Sequence, residues 1–209
     1  MKAKINKKAS NERNLRLGIT FLVFLFLILW SIKSLLAYRH IDGQIISNAY
    51  GLQVVDSILP DTAPLRTNIP RGIRYVVIHE TGNPTNTADA TSHSHYLENG
   101  GDGSTSWHYT VDDSIAYHHI PDDEIAYHAG KGNISGIGIE LCVNKGSDFN
   151  KTFENGAKLT AKLLDTYGLS IKSVKQHADF MDKNCPENIR NENRWNEFIS
   201  LVKKYLEEN

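Results

Sequence analysis

The run Ile73-Arg-Tyr-Val-Val-Ile-His79 limits the fold more than any other stretch of the chain. It is short and β-branched, without the apolar–polar alternation of a strand that faces water on one side. Such a strand is buried on both faces, so its sheet needs cover above and below. The flanking sequence can supply that cover. The stretch from Thr87 to Asn99 reads as a helix, capped by Thr87 and stopped by Gly100 and Gly101. Ser106-Trp-His-Tyr-Thr-Val111 and Ile115-Ala-Tyr-His-His-Ile120, joined by Asp112-Asp113-Ser114, read as a hairpin. Gly136-Ile-Gly-Ile-Glu-Leu-Cys-Val143 is a second apolar strand. Phe153, Ala157, Thr160, Leu163, Leu164 and Tyr167 recur at helical spacing before Gly168. Trp195, Phe198, Ile199, Val202, Tyr205 and Leu206 mark a C-terminal amphipathic helix. Interleaved strands and helices predict an α/β fold, a mixed β-sheet flanked by helices.

The N-terminus makes a different demand. Lys2, Lys4, Lys7, Lys8, Arg13 and Arg16 precede an apolar run from Leu17 to Ala37 in which only Lys33 is charged. At 1.5 Å per residue this run would span about 30 Å, the thickness of a bilayer core. A core helix of a small domain would not be apolar on all faces beside a basic flank. The run therefore predicts one N-terminal transmembrane helix, with the cations holding the N-terminus in the cytoplasm and the rest of the chain outside. Leu35 spoils an A-x-A cleavage pattern ending at Ala37, which favours an anchor at the cell membrane over a cleaved signal peptide. Cleavage would instead secrete the domain. The expected organisation is a basic tail over 1–16, a span over 17–37, a connector over 38–70 and a folded domain over 71–209. Residues 1–39 carry eight Lys and Arg against Glu12, and the remaining 170 carry 15 against 23 Asp and Glu. The domain is thus mildly acidic, with no electrostatic footprint for nucleic acid.

Nine histidines are many for one domain. His79 ends the buried strand, where open sheets place their sites; alone, it reads equally as a hydrogen-bonded structural residue. His177 and Cys185 lie in a stretch whose Asp, Asn and Pro favour a loop, able to present an imidazole and a thiolate to one ion. Two His and one Cys would give Zn²⁺ three protein ligands and leave a fourth position open, the catalytic arrangement. Cys142 supports a competing account. Two cysteines in an exported domain pair by default, and a disulfide sulfur cannot ligate as a thiolate. The residues by themselves leave the two readings even. Glu140 sits in an otherwise apolar strand. There it is costly unless paired; beside a metal-activated water it is a general base, and at a sheet edge it is merely solvated.

Together these elements resemble the zinc-dependent N-acetylmuramoyl-L-alanine amidases, a family of phage lysins, bacterial autolysins and animal peptidoglycan recognition proteins. Five blocks in the family order carry the resemblance, over about residues 66–190. They are Val77-Ile-His-Glu-Thr-Gly-Asn83, Ser106-Trp-His-Tyr-Thr-Val-Asp112, Ala126-Tyr-His-Ala-Gly130, Gly138-Ile-Glu-Leu-Cys-Val-Asn144, and Gln176-His177 with Lys183-Asn-Cys-Pro186. The resemblance implies a mixed sheet flanked by helices around a single zinc site. By matching position, His79, His177 and Cys185 are the implied zinc ligands. That favours metal over a disulfide and leaves Cys142 as a small buried strand residue. Glu140 matches the acid that activates the attacking water, and Lys183 the lysine that steadies the oxyanion. Charge aimed at that oxygen acts chiefly on the transition state. His108 and His128 match histidines of the substrate cleft. Several family members carry a tyrosine just before the residue aligned with His108; Trp107 stands here and has no phenolic hydroxyl. In a regular strand Trp107 and His108 point to opposite faces, so at most one faces the site. His93, His95, His118 and His119 match nothing and read as surface or structural residues.

The implied reaction is hydrolysis of the amide between N-acetylmuramic acid and L-alanine of peptidoglycan. It would be carried out by a monomer using Zn²⁺ and held at the membrane by its N-terminal helix. A module that binds peptidoglycan without cleaving it is the alternative, but such domains typically replace the cysteine ligand, and Cys185 is present. A zinc peptidase lacks its His-Glu-x-x-His helix here.

Overall fold

A computed structural model describes residues 48–208. The chain divides into a unit Met1–His40 and a unit Ile41–Asn209, and the described residues belong to the second. Seven strands form one sheet: β1 (Asn48–Ala49), β2 (Leu52–Asp56), β3 (Tyr75–Glu80), β4 (Tyr109–Val111), β5 (Ile115–His118), β6 (Gly136–Leu141) and β7 (Val174–Gln176). Their order across the sheet is β1-β2-β5-β4-β6-β3-β7. Strand β3 runs parallel to both neighbours, β6 and β7. The expected hairpin is present as the antiparallel pair β4–β5. The sheet is mixed, as the interleaved pattern requires. Part of the stretch read as a connector is the sheet's edge, since β2 pairs with β5 and β1 with β2.

Alternation along the strands separates two faces. Val76 and Ile78 of β3, Ile137, Ile139 and Leu141 of β6, and Tyr109 and Val111 of β4 enter one core. Helices α2 (Phe149–Thr166) and α4 (Trp195–Glu207) close that core with Phe153, Ala157, Leu163, Phe198 and Val202. A Cβ on Gly156 would stand 2.5 Å from Leu141 Cδ2, so glycine lets α2 lie close on β6. The intervening strand residues, including Val77, His79, Gly138 and Glu140, belong to the other face. That face is covered by α1 (Ala90–Glu98) and by loops around a smaller cluster of Leu59, Leu65, Leu97, Trp107, Ile120 and Ala126.

Helix α1 starts later than its sequence suggests. Asp89, not Thr87, is the N-cap, and its carboxylate accepts the Ser92 N–H at 2.8 Å. A carboxylate there also meets the positive end of the helix dipole.

The expected membrane-spanning helix, and with it the single-pass placement, is corrected here. No helix among the described residues is long and apolar enough to cross a membrane. The longest, α2, has 18 residues but carries Lys151, Glu154, Lys158, Lys162 and Asp165. The run 17–37 on which the expectation rested lies outside the described residues, as does the basic tail over 1–16.

Candidate metal centre

His79 and Glu140 stand side by side on adjacent strands, in register across the β3–β6 pair. The parallel pairing carries both to one end of the sheet, on the face away from α2. His177 begins a single helical turn, His177–Asp179, directly after β7. Asp179 accepts the Gln176 N–H at 2.9 Å and fixes the entry to that turn. The loop then folds back, and the Ala178 N–H donates to the Cys185 carbonyl at 3.1 Å. That closure places the cysteine beside the histidine eight positions before it.

One ligand atom from each of His79, His177 and Cys185 lies within 4.8 Å of the others. Cys185 Sγ is 3.9 Å from His79 Nδ1, and the two imidazole rings are 4.6 Å apart between centroids. The buried Nδ1 of His177 has no hydrogen-bond partner. Burial drives His79 well below the ordinary histidine range and His177 down to about 4, so both rings are neutral at pH 7 and offer lone pairs. Burial also pushes the Cys185 thiol up to about 12. Two neutral imidazoles, one of them orphaned, and a thiol that ionises only beside a cation are a donor set that could hold a metal ion. The disulfide reading fails. Both cysteines are free and buried, and Cys142 Sγ faces His93 Nδ1 at 3.9 Å.

Glu140 Oε1 is 3.8 Å from His79 Nδ1, and its buried Oε2 has no partner. Burial raises the Glu140 pKa to about 8, while the charge of Lys183 pulls it back. Lys183, exposed on the returning loop, also acts electrostatically on His79, His177 and Cys185. Glu140 and Lys183 line a cleft of about 560 Å³ that extends past Thr81, His93, Tyr96 and Trp107.

His108 and His128 sit differently from expectation. His108 is fully buried; its Nδ1 accepts the Gly138 N–H, and its Nε2 lies 3.0 Å from the Glu124 carbonyl. His128 has Nδ1 at 2.9 Å from His79 Nε2 and Nε2 at 2.9 Å from the Gly136 carbonyl. Neither presents a free ring nitrogen to the cleft, because all four nitrogens already have partners. Trp107 does line the cleft, and its Nε1–H donates to Thr110 Oγ1 at 2.6 Å.

Two residues escaped the sequence reading. Glu80 accepts backbone N–H groups of the segment after Cys185. Its signal was a second carboxylate closing an apolar strand. His93, read as a surface or structural residue, lines the cleft beside Tyr96, and helical spacing alone gave no sign of which face α1 turns inward.

Two histidines, a cysteine and a carboxylate gathered at one end of a mixed sheet, beside an open cleft, make one candidate metal site among the described residues, of the kind that suits metal-assisted hydrolysis. The chain belongs to the N-acetylmuramoyl-L-alanine amidase family, whose profile matches residues 69–188. It is 36% identical over 142 residues to the N-acetylmuramoyl-L-alanine amidase XlyA of Bacillus subtilis (strain 168), covering 66% of this chain and 48% of that protein. Identity to the amidase CwlH of the same organism is 37% over 133 residues, or 61% and 52% of the two chains. The chain thus spans about half the length of the curated relatives it matches. The structure of the catalytic domain of XlyA superposes with a TM-score of 0.68 at 34% identity, over 72% of this chain and 99% of that one.

Proposed function

We propose that this chain hydrolyses the amide bond between N-acetylmuramic acid and L-alanine in peptidoglycan, with His79, His177 and Cys185 holding one Zn²⁺ ion. The carrying observation is the meeting of those three donors within 4.8 Å beside Glu140, whose Oε2 has no partner. Relatives named for that reaction support the same reading.

The ion, when bound, supplies a Lewis acid that polarises the scissile carbonyl and acidifies a nearby water. Glu140 takes a proton from the attacking water on its free Oε2 and passes it to the departing nitrogen of L-alanine. Its environment suits both acts. Burial favours the protonated form, and the nearby positive charge favours the carboxylate, so the group is poised between them. Lys183 directs its charge toward the oxygen that becomes negative as the carbonyl is attacked. The cleft past Thr81, Tyr96 and Trp107 holds the substrate chain and orients the bond.

The test is to incubate the purified full chain with purified peptidoglycan and assay the new chain ends. New L-alanine amino groups without new reducing sugars are expected, lost on chelation and restored by zinc. New reducing ends, or new amino groups belonging only to residues further along the stem peptide, would sink the proposal.

A further inference from the structure

His128 is buried at the inner edge of the donor cluster, and its bonding leaves little freedom. Its Nε2 lies 2.9 Å from the Gly136 carbonyl, which can only accept, so Nε2 carries the hydrogen. The ring is buried between that carbonyl and a second imidazole, with no carboxylate among its hydrogen-bond partners, so it carries no second hydrogen. Nδ1 of His128 is therefore a lone pair, and the His79 Nε2 placed 2.9 Å away must be the donor. With its proton committed to Nε2, His79 keeps a lone pair on Nδ1, the atom that faces Cys185 Sγ and Glu140.

The surroundings hold His128 in that pose. Asn133 Oδ1 accepts the backbone N–H groups of both His128 and Ala129, at 3.0 and 2.6 Å. Gly138, on β6 beneath the ring, has no side chain. A Cβ there would stand 2.8 Å from His128 Cγ and Nδ1, so even alanine would displace the imidazole. Asn133, Gly136 and Gly138 thus serve one ring that does not itself reach the cleft.

We propose that His128 is a positioning residue that fixes the tautomer and orientation of His79 by accepting its Nε2–H, leaving His79 Nδ1 free to ligate the metal. The inference rests on the zinc reading given above. A metal-bound histidine is commonly oriented through its second nitrogen by a carboxylate or carbonyl, and loss of such a partner costs about 10–100-fold in metal affinity. Here a second imidazole, itself anchored on a backbone carbonyl, takes that place.

The experiment uses the full chain with three substitutions and two readouts. His128→Phe keeps the ring's shape and removes the acceptor. His128→Asn keeps an acceptor near the position of Nδ1. Gly138→Ala leaves His128 in the sequence and pushes on its ring. Zinc affinity is measured by competition with a chromogenic chelator. The tautomer of His79 is read from long-range ¹H–¹⁵N correlations in the metal-free chain. Affinity should fall about 10–100-fold in His128→Phe, recover substantially in His128→Asn, and fall by an intermediate amount in Gly138→Ala. Metal-free wild type should show His79 as the Nε2–H tautomer, and His128→Phe a mixture. Wild-type affinity in His128→Phe, or an Nδ1–H tautomer of His79 in wild type, would overturn the inference while leaving the zinc reading intact. If His128→Phe does not fold, Gly138→Ala and the wild-type tautomer decide alone. Failure of the wild-type chain to take up zinc would remove the metal reading, and this inference with it.

Discussion

The Glu80 carboxylate accepts the backbone N–H of Ile189 at 3.0 Å, and that of Asn188 at 2.8 Å. Glu80 follows His79 on β3, and α3 (Glu187–Asn191) follows Cys185 by one residue. The pair therefore ties the strand bearing one donor to the segment bearing another, across more than a hundred residues of chain. Glu80→Ala leaves the buried Ile189 N–H without a partner, at a cost of about 1–3 kcal/mol. Urea unfolding of the metal-free chain should show that loss. Zinc affinity should also fall, although Glu80 is not a proposed ligand. Unchanged affinity in a destabilised Glu80→Ala chain would mean that the 177–185 loop holds its own shape.

The two cysteines should separate cleanly. Cys185→Ser replaces a thiolate by a neutral hydroxyl, a much weaker zinc ligand, and should abolish stoichiometric metal. Cys142→Ser should retain about one zinc per chain, because Cys142 faces His93 rather than the donor cluster. Elemental analysis of both variants checks this, and mass spectrometry of active protein should find two free thiols. A Cys142–Cys185 bridge in active protein would remove Cys185 from the ligand set.

Glu140 and Lys183 should affect the chemical step without changing metal content. Glu140→Gln keeps the shape but cannot take the water's proton, and kcat should fall by about 10²–10⁴. Lys183→Ala should lower it by about 10²–10³, in line with other oxyanion donors. Their effects should combine less than multiplicatively, since both serve one transition state. Release of L-alanine amino termini and zinc content should be followed on the same samples. Near wild-type turnover in Glu140→Gln would exclude it as the base.

Acid should weaken the fold before its carboxylates titrate. His119 is fully buried, its Nε2 lies 2.9 Å from Thr110 Oγ1, and burial brings its pKa down to about 3. In the unfolded chain a histidine titrates near 6.5. Between these values the unfolded state binds the extra proton, so stability rises with pH there and is lost as pH falls from about 6.5 toward 3. The limiting slope is about 1.4 kcal/mol per pH unit for one such group. Stability against pH for metal-free wild type and His119→Gln should differ by a slope of that order. Superimposable profiles would show that His119 binds its proton equally in both states.

The site was partly legible in the chain because some of its chemistry is local. A buried strand ending in His79, a carboxylate inside an apolar strand, and a loop with His177 and Cys185 each carry a signal within a few residues. The burial of His108 and His128 was not legible, because a motif shows that an imidazole is needed nearby, not which way it points. Their depth follows from the pairing of β3, β4 and β6, which buries one ring against Glu124 and hands the other to His79. Glu80 and His93 were missed for a related reason. The bonds of Glu80 reach residues more than a hundred positions away, and the place of His93 in the cleft depends on how α1 is rotated.

What the sequence determined by itself is the mixed α/β architecture, because strands without polar alternation can be buried only between layers. It also determined the set of side chains that could bind metal and move protons. Only the tertiary structure decided how closely Cys185 approaches the histidines, which histidines have both ring nitrogens bonded, and which nitrogen of His79 faces His128. Those outcomes depend on register, loop closure and hydrogen bonds between segments distant in the chain, and such contacts acquire their energies only once the backbone has brought the groups together.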